Sequence, residues 1–172
     1  NPGTVYRYTP DAPTLAAGIP VKNTGSGPMR QVLTVRGVPG APLPAGGDGF
    51  EIVRTYLDRD GRPFDPAKTA VKQGDLVTVL LRGRATDDLD HQALIVDLLP
   101  AGLEIENPSV GKGAQLGDIA DTLSDTQHVE MRDDRYVAAI DLTGDTRNFT
   151  VAYLARAVTP GRFALPAPYV ED

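Results

Sequence analysis

The chain has 172 residues, 41% of them hydrophobic and 23% charged, with a formal net charge of −6. That length suits one domain or one domain plus an extra piece, and a chain near ~150 residues buries roughly 68–70% of its unfolded surface; the ordinary hydrophobic content argues against disorder throughout. The acidic balance lacks the basic face of a nucleic-acid binder and gains nothing at an anionic membrane surface, while the absence of cysteine removes disulfides, thiolate metal sites and a cysteine nucleophile. No apolar stretch is long enough to span a membrane. The chain opens Asn1-Pro2-Gly3 with neither initiator methionine nor signal peptide, as expected of a piece of something longer.

Fifteen prolines and 18 glycines punctuate short runs of β-branched and aromatic residues, which predicts many strands joined by turns. The first runs are Val5–Tyr8, Ile19–Lys22 and Gln31–Arg36. The stretch from Gly40 to Gly49 carries little to bury and marks a boundary. Residues 1–46 are therefore read as a small strand segment and 47–172 as a larger domain.

The larger domain starts with Phe50–Leu57, where Phe50, Ile52, Arg54 and Tyr56 share one face and Val53 and Leu57 the other. Asp58-Arg59-Asp60-Gly61 and Lys72-Gln73-Gly74-Asp75 read as turns. Leu76–Ala85 is the clearest strand, and the acidic loop Asp87-Asp88-Leu89-Asp90 follows it. Ala93–Leu99 is almost continuously apolar, as in a strand buried on both sides or at a sandwich centre. Pro100-Ala101-Gly102 ends it, and Leu103–Glu106 alternates again. Between residues 109 and 126 only Gly117–Ser124 could hold a helical turn. Val129–Arg132 and Arg135–Leu142 flank a tight turn at Asp133-Asp134, where the two acids tolerate left-handed geometry. Phe149–Ala157 alternates well, and the prolines around Gly161–Pro166 suit an edge or exit strand. Seven or eight strands after residue 49, at this spacing, predict an all-β antiparallel sandwich.

Candidate chemistry is sparse. His128 and Glu130 share a strand face and could begin a metal site, but no third ligand stands at suitable spacing. Ser26, Ser109 and Ser124 lie outside any nucleophile elbow. Gly111-Lys112-Gly113 lacks the remainder of a phosphate loop. Asp58, Asp60 and Asp65, and likewise Asp87, Asp88 and Asp90, could pair for glycoside hydrolysis or hold calcium. Both groups sit in predicted turns, where aspartate is favoured for backbone reasons alone. Asn148-Phe149-Thr150 matches a glycosylation sequon, which carries no meaning in an ordinary bacterium. No residue is assigned a catalytic, cofactor-binding or metal-binding role, and no cofactor is expected.

The run Leu98-Leu99-Pro100-Ala101-Gly102-Leu103-Glu104-Ile105-Glu106-Asn107-Pro108 is more distinctive. Gln73-Gly74-Asp75-Leu76-Val77 stands upstream of it. Arg132–Ala138, Tyr153–Gly161 and Leu165–Glu171 follow downstream. Together with Arg54–Gly61, this set resembles the last macroglobulin-like domain of bacterial alpha-2-macroglobulins over roughly residues 47–172. Residues 1–46 resemble what precedes it, the returning half of a CUB-like domain split around a thioester domain.

The resemblance implies a macroglobulin-like β-sandwich of fibronectin- or immunoglobulin-like architecture with an extra N-terminal strand segment. For the parent protein it implies a broad-spectrum endopeptidase inhibitor, not an enzyme. A bait region is cut, the molecule collapses around the protease, and in many members a Cys–Gln thioester captures it. This chain has no cysteine and no bait-like segment, so its implied role is to pack on the thioester domain and shield it. Family chains run on into a Met-Tyr-containing tail, a role carried onto no residue here. The implied partners are the thioester and CUB-like domains, and target proteases through the parent, but no nucleic acid. The implied location is the periplasm, with the inner membrane reached only through a lipid anchor elsewhere in the parent. A surface adhesion or scaffold sandwich could use the same Leu-Pro-Ala-Gly turn. A sugar-binding module is disfavoured by 6% aromatics and no tryptophan.

Overall fold

The computed structural model describes residues 7–32, 34, 46–106 and 117–172, and the chain divides into two compact units, Asn1–Val38 and Pro39–Asp172. In the first unit the one regular element among the described residues is a short helix, α1 (Ala12–Ala17). Asp11 caps it by accepting the Thr14 N–H at 2.9 Å, Pro13 stands in its first turn, and Gly18 ends it at φ 85°. The expected strand at Ile19–Lys22 is not in a ladder, nor are Arg7 and Tyr8. Val5, Tyr6 and half of the Gln31–Arg36 run lie outside the described residues, as does most of the expected boundary.

The second unit is the predicted sandwich. Its strands are β1 (Phe50–Leu57), β2 (Pro63–Phe64), β3 (Leu76–Ala85), β4 (His91–Leu98), β5 (Leu103–Ile105), β6 (His128–Arg132), β7 (Arg135–Leu142), β8 (Asn148–Ala157) and β9 (Tyr169–Glu171). The larger sheet runs β2-β1-β3-β8-β5 and the smaller β6-β7-β4-β9, and every pairing is antiparallel. After β3 the chain changes sheet at each connection except the β6–β7 hairpin, which is how sequence neighbours come to face each other across the core.

The inner faces follow the period of two. Val77, Val79 and Leu81 of β3 meet Phe149, Val151 and Tyr153 of β8, and from the other sheet Ala93, Ile95, Ala138, Ile140 and Leu142 close the core. Leu81, Ile95 and Leu142 are wholly enclosed, each contributing about 1.5–3 kcal/mol by burial. Val53, on the opposite face of β1, is 64% exposed. Gly83 is a packing requirement: a Cβ there would lie 2.2 Å from the Glu51 carbonyl oxygen and 2.3 Å from Cζ of Phe149.

Several turns come out as predicted. In the Leu-Pro-Ala-Gly motif the Leu103 N–H donates to the Pro100 carbonyl, and the Gly102 carbonyl accepts the Val158 N–H at 2.9 Å. Gly74 takes a positive φ of 91° in the turn before β3. A 3-10 helix at Gly117–Thr122 matches the expected helical turn. The segment from β5 to β6 is pinned along β8 at both ends: Glu106 N–H donates to Leu154 O at 2.8 Å and Ser124 N–H to Thr150 O at 2.8 Å.

Three details differ. The Asp133-Asp134 turn closes without left-handed geometry, since no described non-glycine residue has positive φ. Residues 161–168 form no strand, and the edge strand is Tyr169–Glu171, past the last proline, where every residue keeps its N–H. The two-residue β2 pairs Tyr56 and Leu57 with Phe64 and Pro63, too short to show a period.

Candidate functional site

Asp58, Asp65 and Asp87 bind their own turns, and Asp90 binds the β7–β8 connection. Asp58 accepts the N–H groups of Asp60 and Arg62, both at 2.9 Å. Asp65 accepts that of Ala67 at 2.9 Å, which holds its carboxyl below the usual range. Asp87 accepts the Leu89 N–H and Asp90 the Gly144 N–H. His128 and Glu130 lie on the edge strand β6, where Glu130 is paired with Arg132. Among the described residues no group of three His, Asp or Glu side chains is placed to hold a metal. Ser124 accepts the Thr150 N–H through its hydroxyl at 2.9 Å, and Ser26 lies in a turn braced by Asn23. Ser109 and Gly111-Lys112-Gly113 lie outside the described residues.

The charged chemistry converges at two other places. The first is buried between the sheets. Arg54 of β1 points inward with its apolar neighbours, and Asp97 interrupts the apolar run of β4. Arg54 donates to Asp97 and to the Pro166 carbonyl, and the two side chains are 8% and 0% exposed. Tyr153 of β8 donates its hydroxyl to the other Asp97 oxygen at 2.8 Å. The Tyr136 ring of β7 stacks on Tyr153 with centroids 4.7 Å apart, and the guanidinium carbon of Arg54 sits 5.4 Å from the Tyr56 ring centroid. One cluster thus joins both sheets and the exit segment.

Burial dominates its electrostatics. It pushes the Asp97 carboxyl above its ordinary range against the pull of Arg54. It raises the hydroxyls of Tyr56 and Tyr136 to about 12. Burial, and then the charge of Asp97, raises that of Tyr153 as well. A tyrosine held protonated donates a hydrogen bond at any ordinary pH, so the cluster is a fixed brace with no proton to offer.

The second place is His91, at the start of β4. Its Nδ1 lies 2.8 Å from Asp172 and its Nε2 2.8 Å from Asp87, while the ring meets Phe50 edge-on at 4.8 Å. The hydrogen bonds from Asp172, then Asp87, raise the imidazole above its ordinary value, and each carboxyl is lowered in return, chiefly by His91. Both places were missed as sites in the sequence. Their signal was a charge standing where the strand pattern calls for an apolar residue.

Neither place offers an open cleft with a nucleophile, a base and room for a substrate. The arrangement can brace strands.

Comparison with known proteins is consistent with this. Residues 49–172 match the family model described as the bacterial alpha-2-macroglobulin MG10 domain. The chain is 39% identical over 163 residues to alpha-2-macroglobulin of Escherichia coli K12, covering 88% of this chain and 10% of that protein. Among solved structures, Salmonella alpha-2-macroglobulin reacted with methylamine matches at TM-score 0.67 and 38% identity over 77% of this chain and 8% of that one. Native alpha-2-macroglobulin from Escherichia coli, spanning MG7 to the C-terminus, matches at TM-score 0.64 and 40% identity over 76% of this chain and 21% of that one. The chain spans about a tenth of the length of the curated relative it matches. A sandwich matched from residue 49 to residue 172 by the MG10 model, with relatives of one kind, places the chain in the bacterial alpha-2-macroglobulin family.

Proposed function

We propose that the chain is a packing domain of a protease-trapping alpha-2-macroglobulin, docked on the thioester domain and shielding it until the bait region is cut. The observation that carries this reading is that the same sandwich matches the native and the methylamine-reacted relatives about equally, at TM-scores 0.64 and 0.67. A domain that keeps its fold through the reaction acts through where it is docked, and a latch needs only a difference in contact energy between two docked states. The chain's lack of cysteine supports the same division of labour, because no thioester can form within it. The parent would act in the periplasm, tethered to the inner membrane elsewhere in its length, with proteases as its targets.

The test uses the full-length parent with and without residues 49–172. Trypsin should shift the intact parent on a native gel and give a trypsin-containing band that survives denaturation. The shortened parent should lose its thioester to methylamine faster, read as free thiol released over time. Digestion of the intact parent with no mobility shift would remove the trapping role and favour an adhesion or scaffold module. An unchanged methylamine rate would remove the shielding role.

A further inference from the structure

We propose that strand β9 is a pH-gated strap: the imidazolium of His91 clasps Asp172 and so holds β9 on the edge of β4, and loss of that charge frees β9 while the rest of the sandwich stays folded. The strand is short and lies at a sheet edge. It pairs with β4 at only Leu94–Glu171, Ile95–Val170 and Val96–Tyr169. Eleven residues without a strand, 158–168, lead to it. That lead is secured before the strand begins, where Arg54 holds the Pro166 carbonyl and the Phe163 ring covers Gly102. Between Pro166 and Asp172 the strand is held by the three pairs, by Val170 against the core and by Asp172, and it lies beside β1.

Asp172 uses both carboxylate oxygens, one toward His91 and one accepting the Gln92 N–H at 3.1 Å. His91 uses both nitrogens, each 2.8 Å from a carboxylate oxygen. A neutral imidazole carries one N–H, so only the cation can donate to both acids. Once neutral, the ring leaves one carboxylate facing a lone pair, and two negative charges flank it.

The groups facing the ring decide which partner leaves. Asp87, in the loop after β3, is tied to its own loop by the Leu89 N–H and feels Arg147 from the β7–β8 connection. Phe50 of β1 and Leu142, opposite His91 on β7, bring no charge. Asp172 rides on the only neighbouring element held by three residue pairs, so β9 is the part that moves. The raised imidazole value sets the direction: the clasp is closed in mild acid and opens as pH rises through that value.

Hydrogen exchange on the 172-residue chain, followed by mass spectrometry and corrected to unstructured-peptide rates at each pH, tests this. Protection of residues 167–172 should fall about tenfold per pH unit above about 6.5 until His91 is neutral, because opening releases one proton. Protection of β3 and β8 should not change. His91→Gln and Asp172→Asn, each of which keeps a polar side chain of similar size, should remove the slope. Four results would overturn the proposal: β9 protection that ignores pH, a strap already unprotected in mild acid, a slope that persists in His91→Gln, or a loss shared equally by β3 and β8.

Discussion

The Arg54–Asp97–Tyr153 brace and the His91 clasp both tie β4 to other elements, yet water reaches only one of them. In the brace the two charged side chains are 8% and 0% exposed; in the clasp the histidine is 7% exposed but its acids are 40% and 50% exposed. A buried pair is held by the cost of leaving either charge alone in a low-dielectric interior. A half-exposed pair is screened and depends on which proton is bound. The same sheet thus carries one tie sealed from water and another whose carboxylates solvent reaches.

Substitutions sharpen this contrast. Arg54→Ala strands the Asp97 carboxylate and should destabilise the sandwich by about 3–5 kcal/mol in urea unfolding. Arg54→Met combined with Asp97→Leu should recover most of that loss, because no charge is then left buried. If the double variant is no better than the single one, packing and not charge holds the brace. Tyr153→Phe removes one donor to a charged acceptor and should cost about 1.5–3 kcal/mol by the same measurement, leaving the stacked rings in place.

The clasp should respond less and in proportion to pH. The His91 value lies above 6.5, so its contribution is full below that pH and is lost as pH rises through the raised value. Asp87 and Asp172 lie below 3.8, so theirs is present above that pH and is lost as pH falls through the lowered values. The clasp is therefore strongest between pH 3.8 and 6.5. The stability gap between the unsubstituted chain and His91→Gln should be full at about pH 5.5 and should shrink as pH rises through the raised His91 value. The smallest effect is expected from Arg84→Gln: its bidentate bond to Glu51 lies at the surface, and the urea midpoint at about 0.15 M salt should not move detectably.

Most of the sandwich is legible in the sequence because its long strands bury alternate residues. Leu76–Ala85, Arg135–Leu142 and Phe149–Ala157 read correctly to within a residue. Helix α1 is equally legible: Asp11, Pro13 and Gly18 spell a complete cap-to-cap signal, but it buries nothing, and a search guided by apolar period passes over it. Strands β2 and β9 are too short to have a period and owe their existence to the edges they pair with. The brace was half visible. The period of two puts Arg54 on one face with Phe50, Ile52 and Tyr56, and Asp97 stands inside an apolar run. Two opposite charges on core-facing positions of different strands are a pairing signal, although which strands face each other comes only from the fold.

The double pinning of the β5–β6 segment on β8 has a practical consequence for engineering. Leu154 and Thr150, the two anchoring carbonyls, are four residues apart on one strand, about 13 Å at the usual rise. Extra sequence added between Glu106 and Ser124 leaves those two anchors where they are. Its closure cost grows only logarithmically, about 0.6 kcal/mol for each doubling of length. A fluorescent reporter or affinity peptide grafted there should therefore leave the sandwich folded, giving a handle on the domain whose two anchoring residues belong to neither the brace nor the clasp.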